Sequence, residues 1–168
     1  MSKTTAQKAH STTDTDNYGA VVTHTTATIV GRQKAVVNVH AFADRLEAHL
    51  NDRVAKGLAP RIVISDERPQ ALETGGGLKQ ALPLLGEGPV WVANIDSVWI
   101  EKGVPALEAM VAAWDSSRMD VCLMLAPTAT SLGFHDSGDV FLEDDGAVRF
   151  KGPGEMAPLV YVGVHICD

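Results

Sequence analysis

The sequence predicts an α/β fold built on a mostly parallel sheet, and three observations predict it. Short, continuously apolar runs recur between residues 35 and 126, as expected of strands buried on both faces. Amphipathic stretches separate them, giving the order β-α-β-(α)-β-α-β. Near the C-terminus the rhythm breaks into two short strands around Asp145-Gly146, a hairpin signal.

Each element has its own warrant. AVVNV (35–39) is the first apolar run, and AFADRLEAHLNDRVAKG follows with Phe42, Leu46, Leu50 and Val54 at helical spacing. Gly57 is a helix stop, and RIVIS (61–65) is the next strand. Residues 66–72 read as a polar loop, and LKQALPLLG (78–86) as a short helix ended by Pro83. PVWVANID (89–96) is a buried strand with Asp96 at its tip. VPALEAMVAAW (104–114) is amphipathic through Leu107, Met110, Val111 and Trp114, and DVCLMLA (120–126) is another apolar strand. DVFLEDDGAVRF (139–150) supplies the hairpin, and LVYVGVHI (159–166) a last strand.

Composition sets the surroundings. The 168 residues are 45% apolar and 21% charged, with mean hydropathy +0.03, which suits one globular domain with a proper core. Fourteen basic against 21 acidic side chains give −7, a balance without an electrostatic footprint for nucleic acid or an anionic membrane. No run approaches the length of a spanning helix, and the N-terminus lacks a signal peptide's apolar core. Cys122 and Cys167 lie in apolar runs, with neither metal spacing nor the density of a disulfide scaffold. A soluble, cytoplasmic setting is expected.

The average conceals a seam. Residues 1–34 hold nine threonines and the rest of the chain three. The same 34 carry four basic and two acidic groups (+2), leaving ten and nineteen (−9) for 35–168. Residues 1–33 therefore read as an atypical Thr-rich leader and 34–168 as a partial domain. Within the leader, 1–17 is expected to be disordered, and 18–30 (YGAVVTHTTATIV) has the β-branched character of a strand.

In open parallel sheets, ligands bind beyond the carboxyl ends of the strands. Two features fall there. ETGGG (Glu73, Thr74, Gly75, Gly76, Gly77) removes three consecutive Cβ atoms, so a planar ligand can approach the backbone, and a helix starting just after it would favour phosphate. It is neither a P-loop nor a dinucleotide fingerprint, and a plain connecting turn explains it equally. Asn94-Ile95-Asp96 ends a buried strand, where a carboxylate suits Mg²⁺ and substrate phosphates, although Asp is also a common turn cap. The six histidines are scattered and read as surface or core residues.

VVNVHAFADRLEAHL, RIVISDE, LETGGGLKQALPLLG, VANID and APLVYVGVHI follow one another as in the sugar-1-phosphate nucleotidyltransferases. Over residues 34–168 the chain most resembles the N-acetylmuramate-1-phosphate uridylyltransferases and the mannose-1-phosphate guanylyltransferase-like proteins. The resemblance implies a Rossmann-like sheet of the GT-A type. It also implies nucleotidyl transfer from an NTP, with UTP favoured, to a sugar 1-phosphate, using Mg²⁺. Glu73, Thr74, Gly75, Gly76, Gly77 and Asn94 would then bind the nucleotide. Asp96 would be the catalytic metal ligand, and Glu155 and Gly163 would lie near the sugar phosphate.

The departures imply an alternative. Members of the family open with a strand, a glycine-rich phosphate loop and a helix, and nothing of that kind precedes Lys34. They also continue past the position of Asp168 with a second metal carboxylate, and their Asn-Gly-Asp reads Asn94-Ile95-Asp96 here. The chain is expected to be truncated at both ends, and a catalytically inactive remnant with residual nucleotide-sugar binding is the second reading. A sheet lacking that first strand would self-associate through its uncovered edge unless residues 20–30 replace it.

Overall fold

The computed structural model describes residues 19–23, 34–94 and 96–168. Its strands are β1 (Gly19–Thr23), β2 (Lys34–Val39), β3 (Arg61–Asp66), β4 (Val90–Asn94), β5 (Val121–Pro127), β6 (Val140–Leu142), β7 (Val148–Phe150) and β8 (Leu159–Cys167). Its helices are α1 (Ala43–Ala55), α2 (Glu73–Leu85) and α3 (Ala106–Ala113), with a short 3₁₀ turn at Thr128–Thr130.

All the strands join one sheet in the order β3-β2-β1-β4-β8-β6-β7, with β5 paired to β8. The pairs β3·β2, β2·β1 and β1·β4 are parallel; β4·β8, β5·β8, β6·β8 and β6·β7 are antiparallel. The C-terminal hairpin is observed, but the expectation of a mostly parallel sheet is corrected: four of the seven pairs among the described residues are antiparallel, because β8 runs against β4, β5 and β6. The Thr-rich leader supplies β1, which pairs with β2 from Ala20 to Thr23 and with β4 from Gly19 to Thr23. The edge beside β2 is filled by β1, the replacement from residues 20–30 on whose absence the expectation of self-association depended. The expected disorder of 1–17 lies outside the described residues.

Strand alternation sorts the core into two faces. Ala35, Val37 and Val39 of β2 join Leu50 of α1 or Trp91, Met110 and Ile166 on one side, so α1 and α3 share that face. Val36, Val90 and Val92 meet Ala81 and Leu85 of α2 on the other. Cover on both sides explains why β2 and β4 read as unbroken apolar runs. Trp91, Leu50 and Ile166 are fully buried, each contributing roughly 1.5–3 kcal/mol of burial energy.

Two expectations for the helices are corrected. Phe42 is 79% exposed in a left-handed conformation before α1, and Val54 is half exposed, so Ala43, Leu46 and Leu50 hold that helix to the sheet. Helix α2 begins at Glu73 and runs through Pro83 to Leu85. Gly77, Ala81 and Leu85, one turn apart, are all buried against the sheet. That packing outweighs the low helix propensity of three glycines. Pro83 forfeits one backbone bond only two residues before the helix ends. Among the described residues, no helix is long and apolar enough to cross a membrane.

Candidate functional site

Near the carboxyl ends of the parallel strands a row of polar residues crosses the sheet. Ser65 of β3 is in register with Asn38 of β2, Asn38 with Thr23 of β1, and Thr23 with Asn94 of β4. The row just before it is Ile64, Val37, Val22 and Ala93. Asn38 points to the α2 side, while Val37 and Val39 on either side of it stay in the core under α1. Gly163 of β8 closes the row against Asn94, with φ +80° and room for no Cβ.

The ETGGG segment forms the first turn of α2 above this row, so the glycines lie inside the helix and not in a loop ahead of it. Glu73 is exposed and holds φ 58°, a left-handed conformation that costs a non-glycine residue energy. Thr74 is half-buried. The three glycines have different surroundings. A Cβ on Gly75 would meet nothing within 4 Å, whereas one on Gly76 would stand 2.9 Å from Leu72 Cβ. On Gly77 it would stand 2.7 Å from Glu67 Oε1 and 3.0 Å from Asn38 Nδ2. Gly75 thus presents open backbone, and Gly76 and Gly77 permit close packing.

Asn38 and Glu67, which sequence reasoning did not single out, are buried polar residues under this turn. Asn38 Nδ2 donates to the Gly77 carbonyl at 3.1 Å and to Glu67 Oε1. A polar residue inside VVNV and an acid directly after RIVISD were the available signals. Beside α2 runs a groove of about 300 Å³ lined by Gly75, Leu78, Lys79, Leu82, Val90 and Cys167.

Asp96 is exposed just beyond β4. Tyr161 and His165 flank Gly163 on β8, with the Tyr161 hydroxyl 2.6 Å from His165 Nδ1. Burial, with the Cys167 and Asp96 charges, pushes the Tyr161 phenol up to about 12, and burial lowers the His165 pKa. The two shifts favour the uncharged form of both partners in this hydrogen bond. Sequence reasoning left His165 among the scattered histidines; its spacing of four from Tyr161 across a bulge carries no sequence signature.

Glu155 belongs to a different set of contacts. Its carboxylate accepts from the Gly152 amide at 2.6 Å and from Arg149 Nη1 at 2.9 Å. The Gly152 amide first, then Arg149, holds its pKa below the usual carboxylate range. Cationic groups near the carboxyl edge are similarly engaged: Arg68 is bound by Asp66, Glu47 and Asp44. Among the described residues, no group of three or more His, Cys, Asp and Glu is placed to hold a metal ion.

No family model matches the chain. It is 75% identical over 135 residues to an N-acetylmuramate alpha-1-phosphate uridylyltransferase of Caulobacter vibrioides, covering 80% of this chain and 56% of that protein. The match supports a partial member of the sugar-1-phosphate nucleotidyltransferase family. A protein of the same name from Neisseria meningitidis serogroup B is 30% identical over 146 residues, covering 80% of this chain and 60% of that one. The chain therefore spans less than two thirds of the length of the curated relatives it matches. The crystal structure of HddC from Yersinia pseudotuberculosis shares the fold, with TM-score 0.58, 13% identity, and coverage of 90% of this chain and 76% of that one. The same values hold for HddC complexed with GMP-PN.

Proposed function

We propose that this chain carries the nucleotide pocket of an enzyme that transfers a nucleotidyl group from UTP to a sugar 1-phosphate, releasing pyrophosphate. The observation that carries the reading is the start of α2. A left-handed Glu73 and an unobstructed Gly75 open the helix above Asn38, in a chain 75% identical over 135 residues to a protein named as a uridylyltransferase. The parallel order β3-β2-β1-β4 fits a Rossmann-like sheet of the GT-A type.

In the reaction, a sugar-phosphate oxygen attacks the α-phosphorus and the bond to pyrophosphate breaks. The attacking oxygen is already ionised, so positioning and charge neutralisation matter more than a general base. The exposed carboxylate of Asp96 is a hard oxygen donor that fits Mg²⁺, which is commonly held by one or two carboxylates plus substrate phosphates. When bound there, the ion would neutralise charge developing on the phosphates. Glu73, Thr74, the glycines and Asn94 would receive the nucleotide, and Gly163, packed against Asn94, would lie near the sugar phosphate. Charged substrates of this kind suit a cytoplasmic setting.

The second reading is an inactive remnant that binds a nucleotide without turning it over. The engagement of Arg68 by three carboxylates favours it, because that guanidinium is not free for phosphate.

A thermal-shift panel of UTP, GTP, CTP and ATP with Mg²⁺, with and without sugar 1-phosphates, tests both. Ligand at a hundred times its Kd stabilises by about 2.7 kcal/mol, so a UTP-selective shift is readily seen. NDP-sugar formation abolished by Asp96→Ala supports the enzyme, and a UTP shift without product supports the remnant. No shift with any nucleotide overturns both.

A further inference from the structure

The first turn of α2 is held from below by one buried side chain. Glu67, the residue after β3, is 7% exposed. Its Oε1 accepts from Asn38 Nδ2, and its Oε2 accepts from the Leu72 amide at 3.3 Å. Its own backbone is fastened as well. The Glu67 amide donates to the Val39 carbonyl at 2.9 Å, and its carbonyl accepts from the Gln70 amide at 3.0 Å and from His40 Nδ1 at 2.7 Å.

The carboxylate thus bridges β2 and the residue that precedes Glu73. Asn38 extends the bridge by donating to the Gly77 carbonyl at 3.1 Å. Leu72 is tied on one side of the left-handed Glu73 and Gly77 on the other. A strained residue persists only when its surroundings determine it, and here both flanks converge on one carboxylate. Gly77 completes the fit, since a methyl group there would stand 2.7 Å from Glu67 Oε1.

We propose that Glu67 is the positioning residue of the nucleotide pocket: through the Leu72 amide and Asn38 it sets where the first turn of α2, and with it the open backbone at Gly75, meets the nucleotide. The proposal rests on the nucleotide reading above. It assigns Glu67 no contact with substrate; the carboxylate acts through the turn it holds.

The test uses the full chain, UTP with Mg²⁺ as the probe, and the variants Glu67→Ala, Glu67→Gln, Gly77→Ala and the Glu67→Ala/Gly77→Ala double. UTP affinity, melting temperature and amide exchange over residues 72–77 are measured together. Glu67→Ala is expected to weaken UTP about tenfold or more, as small misplacements of binding groups do. Exchange at 72–77 should accelerate with it.

Gln offers one acceptor oxygen, enough for Asn38 or Leu72 but not both, so Glu67→Gln should fall between wild type and Glu67→Ala. Gly77→Ala should also weaken UTP. The double variant should be no weaker than the worse single, because the methyl then fills space the carboxylate has left. Should Glu67→Ala fail to fold, Glu67→Gln carries the test through a reduced UTP affinity at a retained melting temperature.

UTP affinity unchanged in a folded Glu67 variant overturns the proposal and leaves the nucleotide reading intact. Fully multiplicative losses in the double variant also overturn it. A wild-type chain that binds no UTP overturns the nucleotide reading, and the proposal with it.

Discussion

Gly163 approaches Asn94 so closely that a Cβ at 163 would stand 2.8 Å from Asn94 Cβ and 3.2 Å from its Nδ2. The glycine has φ +80°, where β5 and β8 lose register between Leu123 and Leu125. The extra residues bulge β8 toward the polar row, and only glycine fits the bulge. Gly163→Ala is expected to cost about 2 kcal/mol or more from the left-handed backbone and the overpacking together. For a chain of this size that lowers Tm by roughly 4–8 °C, readable by circular dichroism. An unchanged Tm would show that Asn94 moves aside freely.

The Tyr161–His165 pair sets a pH window. His165 has a lowered pKa in the fold, so its contribution is complete above the unfolded value near 6.5 and is lost as pH falls toward the lowered one. Tyr161 is raised from 10.0 to about 12, so its contribution is complete below 10 and is lost as pH rises through that interval. Urea midpoints should therefore fall below about pH 6.5 and above about pH 10. His165→Gln should flatten the acid limb relative to wild type, and Tyr161→Phe the alkaline one. Curves parallel to wild type in both variants would show that neither group senses the fold.

Arg68 ties the end of β3 to α1, with Nη2 3.1 Å from Asp44 Oδ1 and further bonds to Glu47 and Asp66. These charges are exposed, so their strength depends on screening. Arg68→Ala should lower Tm at low salt by less than Gly163→Ala does, and 1 M NaCl should remove most of the difference. A loss independent of salt would mean that the side chain acts by packing.

Trp91 is fully buried, and its Nε1 has no hydrogen-bond partner among the described residues. Trp91→Phe removes some volume and also an unsatisfied donor, effects of opposite sign. Its net cost should be within about 1 kcal/mol by chemical denaturation. Trp91→Ala, which leaves a large cavity between β4 and α3, should cost about 3–5 kcal/mol.

The strands and two of the helices were legible because burial on both faces writes itself as apolar runs and helical spacing. The start of α2 was not. ETGGG reads as a connection when propensity alone is weighed, and the reason it is helical lies in Asn38 and Glu67, some 39 and 10 residues upstream of Gly77. Phe42 matched the helical spacing, yet it precedes the helix in a left-handed conformation that spacing cannot report. At the site, Asp96 and Asn94 announced themselves by ending a strand. The Tyr161–His165 bond depends on a bulge, and the Glu67 bridge on three elements meeting, so neither has a signature along the chain.

One feature of the sheet bears on how the chain reaches this structure. Strand β8 pairs with β4, β5 and β6, and it follows all three in the sequence. During synthesis those three strands emerge before the partner that joins them. Until Leu159–Cys167 arrives, β4 has only its β1 edge paired and β6 only β7, and β5 lacks the strand it pairs with, a state prone to association. The pairings of β4, β5 and β6 with β8 must then form late, whereas the local β6·β7 hairpin can close before them.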